Sequence, residues 1–283
     1  MSRIKRAYRY RFYPTNEQRQ ILARTFGCVR YTYNWAIALR QQTYRETGKG
    51  LSYKHLSAAL TTLKQQDETA FLHEVSCVPL QQGLRHLMRA YTNFFEGRAL
   101  FPQYKKRSDD QSAEYTRSAF TWKDKQLSLA KMSKPLAMVW SRPLPEGATP
   151  STVTVSRDKI GRYFVSLLVE EEIAPLAPRD KAVGIDLGLK SFVATSDGQI
   201  FENPRYAAQD AKALAKAQRK LSRKHKGSKN REKQRRRVAK IHARIADRRK
   251  HHQHQLSTRL IRENQTIVVS PTVRAVPFTN IKF

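Results

Sequence analysis

Long apolar runs are missing from this 283-residue chain, cysteine is reduced to two residues, and acidic side chains number 23 against 54 lysines and arginines. Each shortage excludes something. No apolar stretch approaches the ~18 residues that mark a membrane span, and the basic N-terminus has no apolar segment of the kind that marks a secretory leader. Cys28 and Cys77 stand far apart in no CxxC pair, which excludes a disulfide framework and fits small core residues of a reduced, cytoplasmic protein. The deficit of acids leaves a formal net charge of +31 and a pI near 10.5. Such an excess repels itself in a free protein and implies a polyanionic partner, nucleic acid above all, rather than a membrane or a small-molecule substrate. A hydrophobic content of 40% and an aromatic content of 10% exclude a merely disordered basic tail.

What is present is organised around Lys181 to Phe201, KAVGIDLGLKSFVATSDGQIF. An apolar run delivers Asp186 between Gly184 and Gly188, a second β-like run spans Ser191 to Thr195, and Ser196-Asp197-Gly198 reads as a hairpin turn. A carboxylate held in such a unit suits a metal ligand, although Gly-x-Asp-x-Gly is also an ordinary strand-end turn. Two kinds of site use it. An actin-like kinase turn carries Thr or Ser just after Asp-x-Gly, where this chain has Leu189 and Lys190; the other kind is the metal-binding Asp of an RNase H-like nuclease. The charge favours the nuclease.

In chain order, residues 3–13 alternate apolar and basic, a strand with one apolar and one cationic face. That face either meets nucleic acid or is the solvated side of an edge strand. Thr15 and Gln18 form a capping-box signature, and Leu22, Phe26, Val29, Tyr33 and Ile37 recur at helical spacing behind it. Further helices are predicted over 52–66 and from Pro79 through Phe95. The loop Phe101-Pro102-Gln103-Tyr104-Lys105-Lys106-Arg107 interleaves aromatics and cations, as single-strand or RNA contacts require, and as solvated linkers also do. Five short alternating runs over 112–173 suggest a small barrel or sandwich. Helices are predicted from Ala207 to about Ser222 and over 230–263. Between Arg219 and Lys250 stand 16 lysines and arginines against Glu232 and Asp247. Like charges at i and i+4 oppose a helix, so a polyanion is expected along this hairpin. His251, His252 and His254 lack a partnering cysteine or carboxylate cluster, and no zinc is expected there. Gln265 to Val269 reads as a buried parallel strand returning beside the Asp186 strand.

Together the stretches YRFYPTNEQ, Arg30-Tyr31-Thr32-Tyr33-Asn34-Trp35, Asn93-Phe94-Phe95 through Lys106, GIDLGLKSFVATSDG, RRRVAKIHARIADRR and LSTRLIRENQTIVV resemble the TnpB proteins of bacterial insertion sequences, relatives of compact RNA-guided type V CRISPR nucleases. The resemblance covers almost all of residues 3–269. It implies an RNA-gripping N-terminal strand and β-barrel, a helical lobe that contacts the guide–target duplex and a flanking DNA motif, and a RuvC-like nuclease. In that family the metal site combines an Asp matching Asp186, a Glu directly after the IVV-type strand, and a later Asp beyond a four-cysteine zinc ribbon. Here Ser270-Pro271 stands where the family has Glu-Asp, the remaining tail has no carboxylate, and the ribbon is absent. The break has the form of a frameshift or gene truncation, and a trimmed but retained regulator would have the same form.

The expected fold class is α+β and multidomain: an N-terminal barrel strand (1–13), a helical recognition lobe (14–110), a small β-barrel (111–178), a partial RuvC/RNase H-like α/β domain with a long basic helical hairpin (179–269) and a non-family tail (270–283). The expected function is binding of guide or scaffold RNA and double-stranded DNA in the bacterial cytoplasm, at the nucleoid, without cleavage. The alternatives are an active RNA-guided endonuclease completed by Asp197, Glu263 or a second polypeptide, and a decayed remnant. Expected contacts are Arg30, Tyr33 and Asn34 in the helical lobe, Gln81 and Gln82 for a flanking DNA motif, Lys105, Lys106 and Arg107 in the loop, and Arg219, Arg223, Arg235, Arg236 and Arg237 on the basic helices. Asp186 is the metal-ligand position, with Mg2+ binding weak or absent and no zinc.

Overall fold

A computed structural model describes residues 2–270; the expected tail beyond Ser270 lies outside them. The chain forms two compact units, one ending at Ile173 and the other beginning at Ala174.

The first unit opens with β1 (Ser2–Phe12), in which Tyr8, Tyr10 and Phe12 are buried and the intervening basic residues face outward, as period-two alternation dictates. Helix α1 (Asn16–Thr47) starts at the expected capping box. Thr15 Oγ1 accepts from the Gln18 N–H at 3.2 Å, and Gln18 Oε1 accepts from the Thr15 N–H at 3.1 Å. It stops at Gly48, whose φ of 67° is left-handed backbone that glycine adopts without a Cβ clash. Helices α2 (Tyr53–Leu63) and α3 (Cys77–Phe95) bury the leucines their spacing predicts, Leu56, Leu60 and Leu63 on one and Leu80, Leu84 and Leu87 on the other.

Six strands follow: β2 (Gln111–Thr116), β3 (Phe120–Lys123), β4 (Gln126–Leu129), β5 (Met138–Val139), β6 (Thr152–Arg157) and β7 (Tyr163–Ile173). The expected barrel does not close among the described residues. An open five-stranded sheet runs in the order β2-β6-β7-β1-β5, while β3 and β4 pair only with each other. Alternation specifies which face of a strand is buried, and it says nothing about whether the edges meet. Side chains of α1, α2 and α3 share one continuous core with the sheet and cover the face that a closed barrel would have turned on itself. β1 pairs with β7 along its whole length and with the two-residue β5 only at Arg11 and Phe12, so on its other side Ser2 to Tyr10 has no strand partner among the described residues, as in the edge strand considered above.

The second unit contains β8 (Ala182–Leu187), β9 (Ser191–Thr195), β10 (Ile200–Glu202), the short α4 (Tyr206–Gln209), α5 (Ala211–Ser222), α6 (Lys229–Glu263) and β11 (Thr266–Val269). Its sheet has the order β10-β9-β8-β11, with β11 parallel to β8 and the other pairs antiparallel, so the return strand lies where the sequence places it. The expectation of a buried return strand fails, because Val268 and Val269 are 59% and 53% exposed. β11 is an edge strand, and Leu256 and Leu260 of α6 pack with Val193, Ile185, Leu187 and Ile267 on one face only. With so few buried apolar side chains, this core is sensitive to any one of them. Leu260→Ala should destabilise the sheet by about 2–4 kcal/mol, read as faster hydrogen exchange at β8 and β11; unchanged exchange would contradict the assignment of Leu260 to the core.

Candidate nucleic-acid interfaces

In the first unit the loop 101–110 is fastened to α1 by residues that the sequence marks for nucleic acid. Asn34 grips the Lys105 backbone twice: Oδ1 accepts from its N–H at 2.8 Å, and Nδ2 donates to its carbonyl at 3.0 Å. Arg30 Nη1 donates to Gln111 Oε1 at 2.9 Å where the loop enters β2. Lys105 folds back so that Nζ sits 4.1 Å from the Tyr33 ring centroid, and burial pulls its ammonium below the ordinary lysine value. Arg30, Tyr33 and Asn34 therefore position the loop, and within the triplet Lys106 and Arg107 are the exposed cations. Gln81 and Gln82 are half-buried on α3, next to Gly83, where a Cβ would meet Val29 of α1 at 3.6 Å. That helix crossing also carries Arg30, one residue along from Val29.

The cationic face of β1 is partly spoken for. Lys5 lies 3.5 Å from Glu170 and the Arg9 guanidinium sits 3.9 Å above the Phe164 ring, while on the opposite face, in line with Tyr8, Arg6 lies 2.8 Å from Glu171. The acids Glu170, Glu171 and Glu172 stand opposite Lys5, Ile4 and Arg3 in the antiparallel register, a complementarity visible only once β1 and β7 are paired.

In the second unit the predicted basic hairpin is α5 and α6. Its turn is tied internally: Arg231 Nη1 donates to the carbonyls of Leu221 at 2.9 Å and Lys224 at 2.8 Å, and buried Gln234 donates to the Ala217 carbonyl at 2.9 Å. Asp210, which breaks the helix predicted from Ala207, is buried between Arg244 and Arg248, at 3.4 Å from each. Sequence reasoning missed this residue; the signal was the i, i+4 arginine pair, which presents two guanidiniums to one acceptor. Arg235 and Arg236 share Glu232, at 3.0 and 3.7 Å, and Arg219, Arg223 and Arg237 are exposed on the same hairpin. The anchored cations shape the hairpin, and the exposed ones give it a basic surface.

Asp186 is exposed on β8, opposite Ala194 of β9. The parallel register continues from Val269 opposite Ile185, and the Ser270 N–H donates to the Ile185 carbonyl at 2.9 Å, so Ser270 is the residue beside Asp186 across the pair. Gly188 serves the turn into β9, since a Cβ there would come within 3.0 Å of the Ser191 carbonyl. Asp197 is engaged in the hairpin turn by the Thr195 hydroxyl and by Lys181 Nζ at 3.0 Å, partners that hold its carboxyl down at about 2. The stabilisation from that clasp is present above the ordinary Asp value near 4 and is lost as pH falls toward 2. Asp197 follows Thr195, which pairs with Ile185, and so stands about three register positions, ~10 Å, from Asp186. Two carboxylates sharing one ion must both bring oxygens to about 2.0–2.1 Å from Mg2+. Glu263 is paired with Arg259 at 2.9 Å. Among the described residues no three His, Cys, Asp or Glu side chains gather as a group that could hold a metal ion. The His252 ring packs edge-on against Phe192 and Tyr206, at 5.2 and 6.2 Å.

Comparison with known proteins identifies the family. The model of the OrfB_IS605 family, described as "Probable transposase", matches residues 165–275, and that of its helix-turn-helix domain matches residues 1–49. In the structure residues 2–47 are one strand and one unbroken helix. A Streptomyces pristinaespiralis protein named "Putative RNA-guided DNA endonuclease" is 56% identical over 276 residues, covering 97% of this chain and 69% of that protein. InsQ of Escherichia coli K12, similarly named, is 31% identical over 270 residues, covering 95% of this chain and 66% of its own length. Among solved structures, a chain of a Cas12f1-sgRNA-target DNA complex aligns with a TM-score of 0.49 at 12% identity, covering 95% of this chain and 81% of that one. The chain is thus a transposon-type protein of the OrfB class. It belongs to the TnpB family.

The loop anchor makes a direct prediction. Asn34→Ala removes both side-chain bonds to Lys105, each worth about 1 kcal/mol, and should speed tryptic cleavage after Lys105, Lys106 and Arg107 severalfold without loss of helix. Cleavage at the wild-type rate would show that the loop is held by something else.

Proposed function

We propose that this chain is a TnpB-family protein that binds a guide or scaffold RNA and double-stranded DNA, and that its own RuvC-like carboxylate position does not support cleavage. The observation that carries the reading is a contrast within one unit. A stretch with 16 lysines and arginines against two acids folds into the α5–α6 hairpin, beside a sheet in which Asp186 faces Ser270 rather than a second carboxylate. The names of the relatives that align over nearly the whole chain support the RNA and DNA partners. The chain spans 69% and 66% of those two proteins, and their activity as whole proteins is not transferred to it.

On this reading the binding is electrostatic and broad. Lys106, Arg107, Arg219, Arg223 and Arg237 contact phosphates, joined by Arg235 and Arg236 when an incoming phosphate competes with Glu232. No helix among the described residues is long and apolar enough to cross a membrane, and the cytoplasm with its nucleoid is the compartment where such a partner is abundant. On this reading Asp186 alone holds Mg2+ weakly, and no cluster among the described residues is offered as a zinc site.

Two measurements test these statements. Protein tagged at its native locus should co-purify with one discrete RNA from beside the gene, and neutralisation of about ten phosphates gives a slope of log affinity against log salt of roughly −7 to −9. Random cellular RNA, or a slope near −2, would contradict the reading. Separately, Ser270→Glu should raise Mn2+ affinity, read by titration of the free-ion resonance, at least tenfold over wild type. Equal affinities would mean that position 270 does not face the ion that Asp186 would hold.

A further inference from the structure

Where α3 ends, Phe94 meets both Phe95 and Phe101 of the following loop, and Tyr91 contacts the latter two. The ring centroids lie 5.3 Å apart for Phe94–Phe95 and Phe94–Phe101, and 5.6 Å for Tyr91–Phe101. A cluster of this kind normally closes a core, yet Phe95 is 72% exposed and neighbouring Leu100 is 91% exposed. The exposure is built into the backbone. Gly97, at a φ of 69°, turns the chain; its N–H donates to the Phe94 carbonyl at 3.0 Å, and the N–H groups of Arg98 and Ala99 both donate to the Asn93 carbonyl, at 2.8 and 3.1 Å. The loop is fixed again at Lys105 by Asn34. A held turn that presents apolar side chains outward marks an interaction surface.

Charge and ring geometry identify the occupant. From Asn93 to Arg107 the one acid is Glu96, already paired with Arg98, whereas Lys105, Lys106 and Arg107 follow the aromatics directly. A second copy of a chain with a formal charge of +31 would bring like charges together on this face. A polyanion whose units carry flat apolar faces suits both the cations and the rings. The rings do not share a plane: Phe101 stands at 84° to Phe94 and 88° to Tyr91, and Phe95 is tilted 60° from Phe94. They cannot offer one platform as wide as a base pair; Phe95, near-parallel to buried Tyr91 at 24° and 72% exposed, offers a ring face of the size of a single base.

We propose that Phe94, Phe95, Leu100 and Phe101 form a stacking notch for unpaired nucleobases, with Lys106 and Arg107 beside the adjoining phosphates. This rests on the nucleic-acid reading above but on no particular guide, scaffold or target sequence. Stacking on aromatic side chains is sequence-tolerant because every base has a π-face. The notch therefore takes single-stranded segments by their lack of pairing rather than by their sequence.

The test uses the full chain and its Phe95→Ala/Leu100→Ala double variant, two exposed positions whose loss leaves the core intact. The probes are a single-stranded oligonucleotide containing 2-aminopurine, a capped-loop hairpin of equal length, and heparin. The notch predicts that single-strand affinity falls roughly tenfold or more and that quenching of 2-aminopurine is lost. Hairpin and heparin binding stay within twofold, and Phe95→Trp retains single-strand binding. Equal single-strand binding by wild type and variant, or an equal loss for heparin, would overturn it. So would sedimentation showing a wild-type dimer that the double variant dissolves, which assigns the face to a second copy. If wild type binds none of the three probes, the nucleic-acid reading itself fails; if it binds all three and the variant does the same, only the notch fails.

Discussion

The repulsion among 54 cationic side chains is the constraint to which this architecture answers. With 23 acids the chain cannot pair every cation, and several of the acids it has hold particular cations in place. Glu170 and Glu171 of β7 meet Lys5 and Arg6 of β1 across the register that builds the main sheet. Asp210 sits buried at the start of α5 between two arginines one helical turn apart on α6. Other cations rest on aromatic faces, Arg9 over Phe164 and Lys105 over Tyr33, where the ring quadrupole replaces a counter-charge. Exposed surface pairs of this kind are worth only fractions of a kcal/mol each, and their main consequence is geometric. They fix which cations are structural and leave the remainder pointing outward.

The same logic separates the two kinds of residue that a basic sequence makes look alike. In the loop after α3, Asn34 and Tyr33 hold Lys105 so that Lys106, Arg107 and the aromatic edge ahead of them are presented in a defined shape. On the α5–α6 hairpin, Arg231, Arg244 and Arg248 close the structure while Arg219, Arg223 and Arg237 face outward. The sheet beneath that hairpin positions Asp186 well, on a strand paired on both sides, but gives it Ser270 as its parallel neighbour and leaves Asp197 and Glu263 committed to other cations.

Local elements were legible in the residues because each has a local cause. The Thr15–Gln18 capping box, the leucine spacing of α2 and α3, the Ser196-Asp197-Gly198 turn and the parallel return of β11 all follow from patterns within a dozen residues or from the handedness of a crossover. Sheet closure was not legible: alternation over 112–173 is the same whether a sheet folds onto itself or is covered by helices. Burial of β11 was misjudged because QTIVV has the composition of a central strand, while its position at the sheet edge depends on which segments pack beside it. The roles of Asn34 and Lys105 were hidden for a related reason. An asparagine and a lysine in a basic-aromatic stretch carry the same letters whether they meet a phosphate or each other, and only the 71-residue contact between them decides.

Nucleic-acid binding and strand scission can be separated in a single reaction. The purified chain, loaded with its co-purifying RNA, is incubated with a DNA duplex matching the RNA's variable end in Mg2+ or Mn2+, and binding and strand scission are read from the same samples. RNA-dependent retention of intact duplex is the result this account predicts. Metal-dependent scission that disappears in Asp186→Ala would contradict it and would place a working metal site on the sheet despite Ser270.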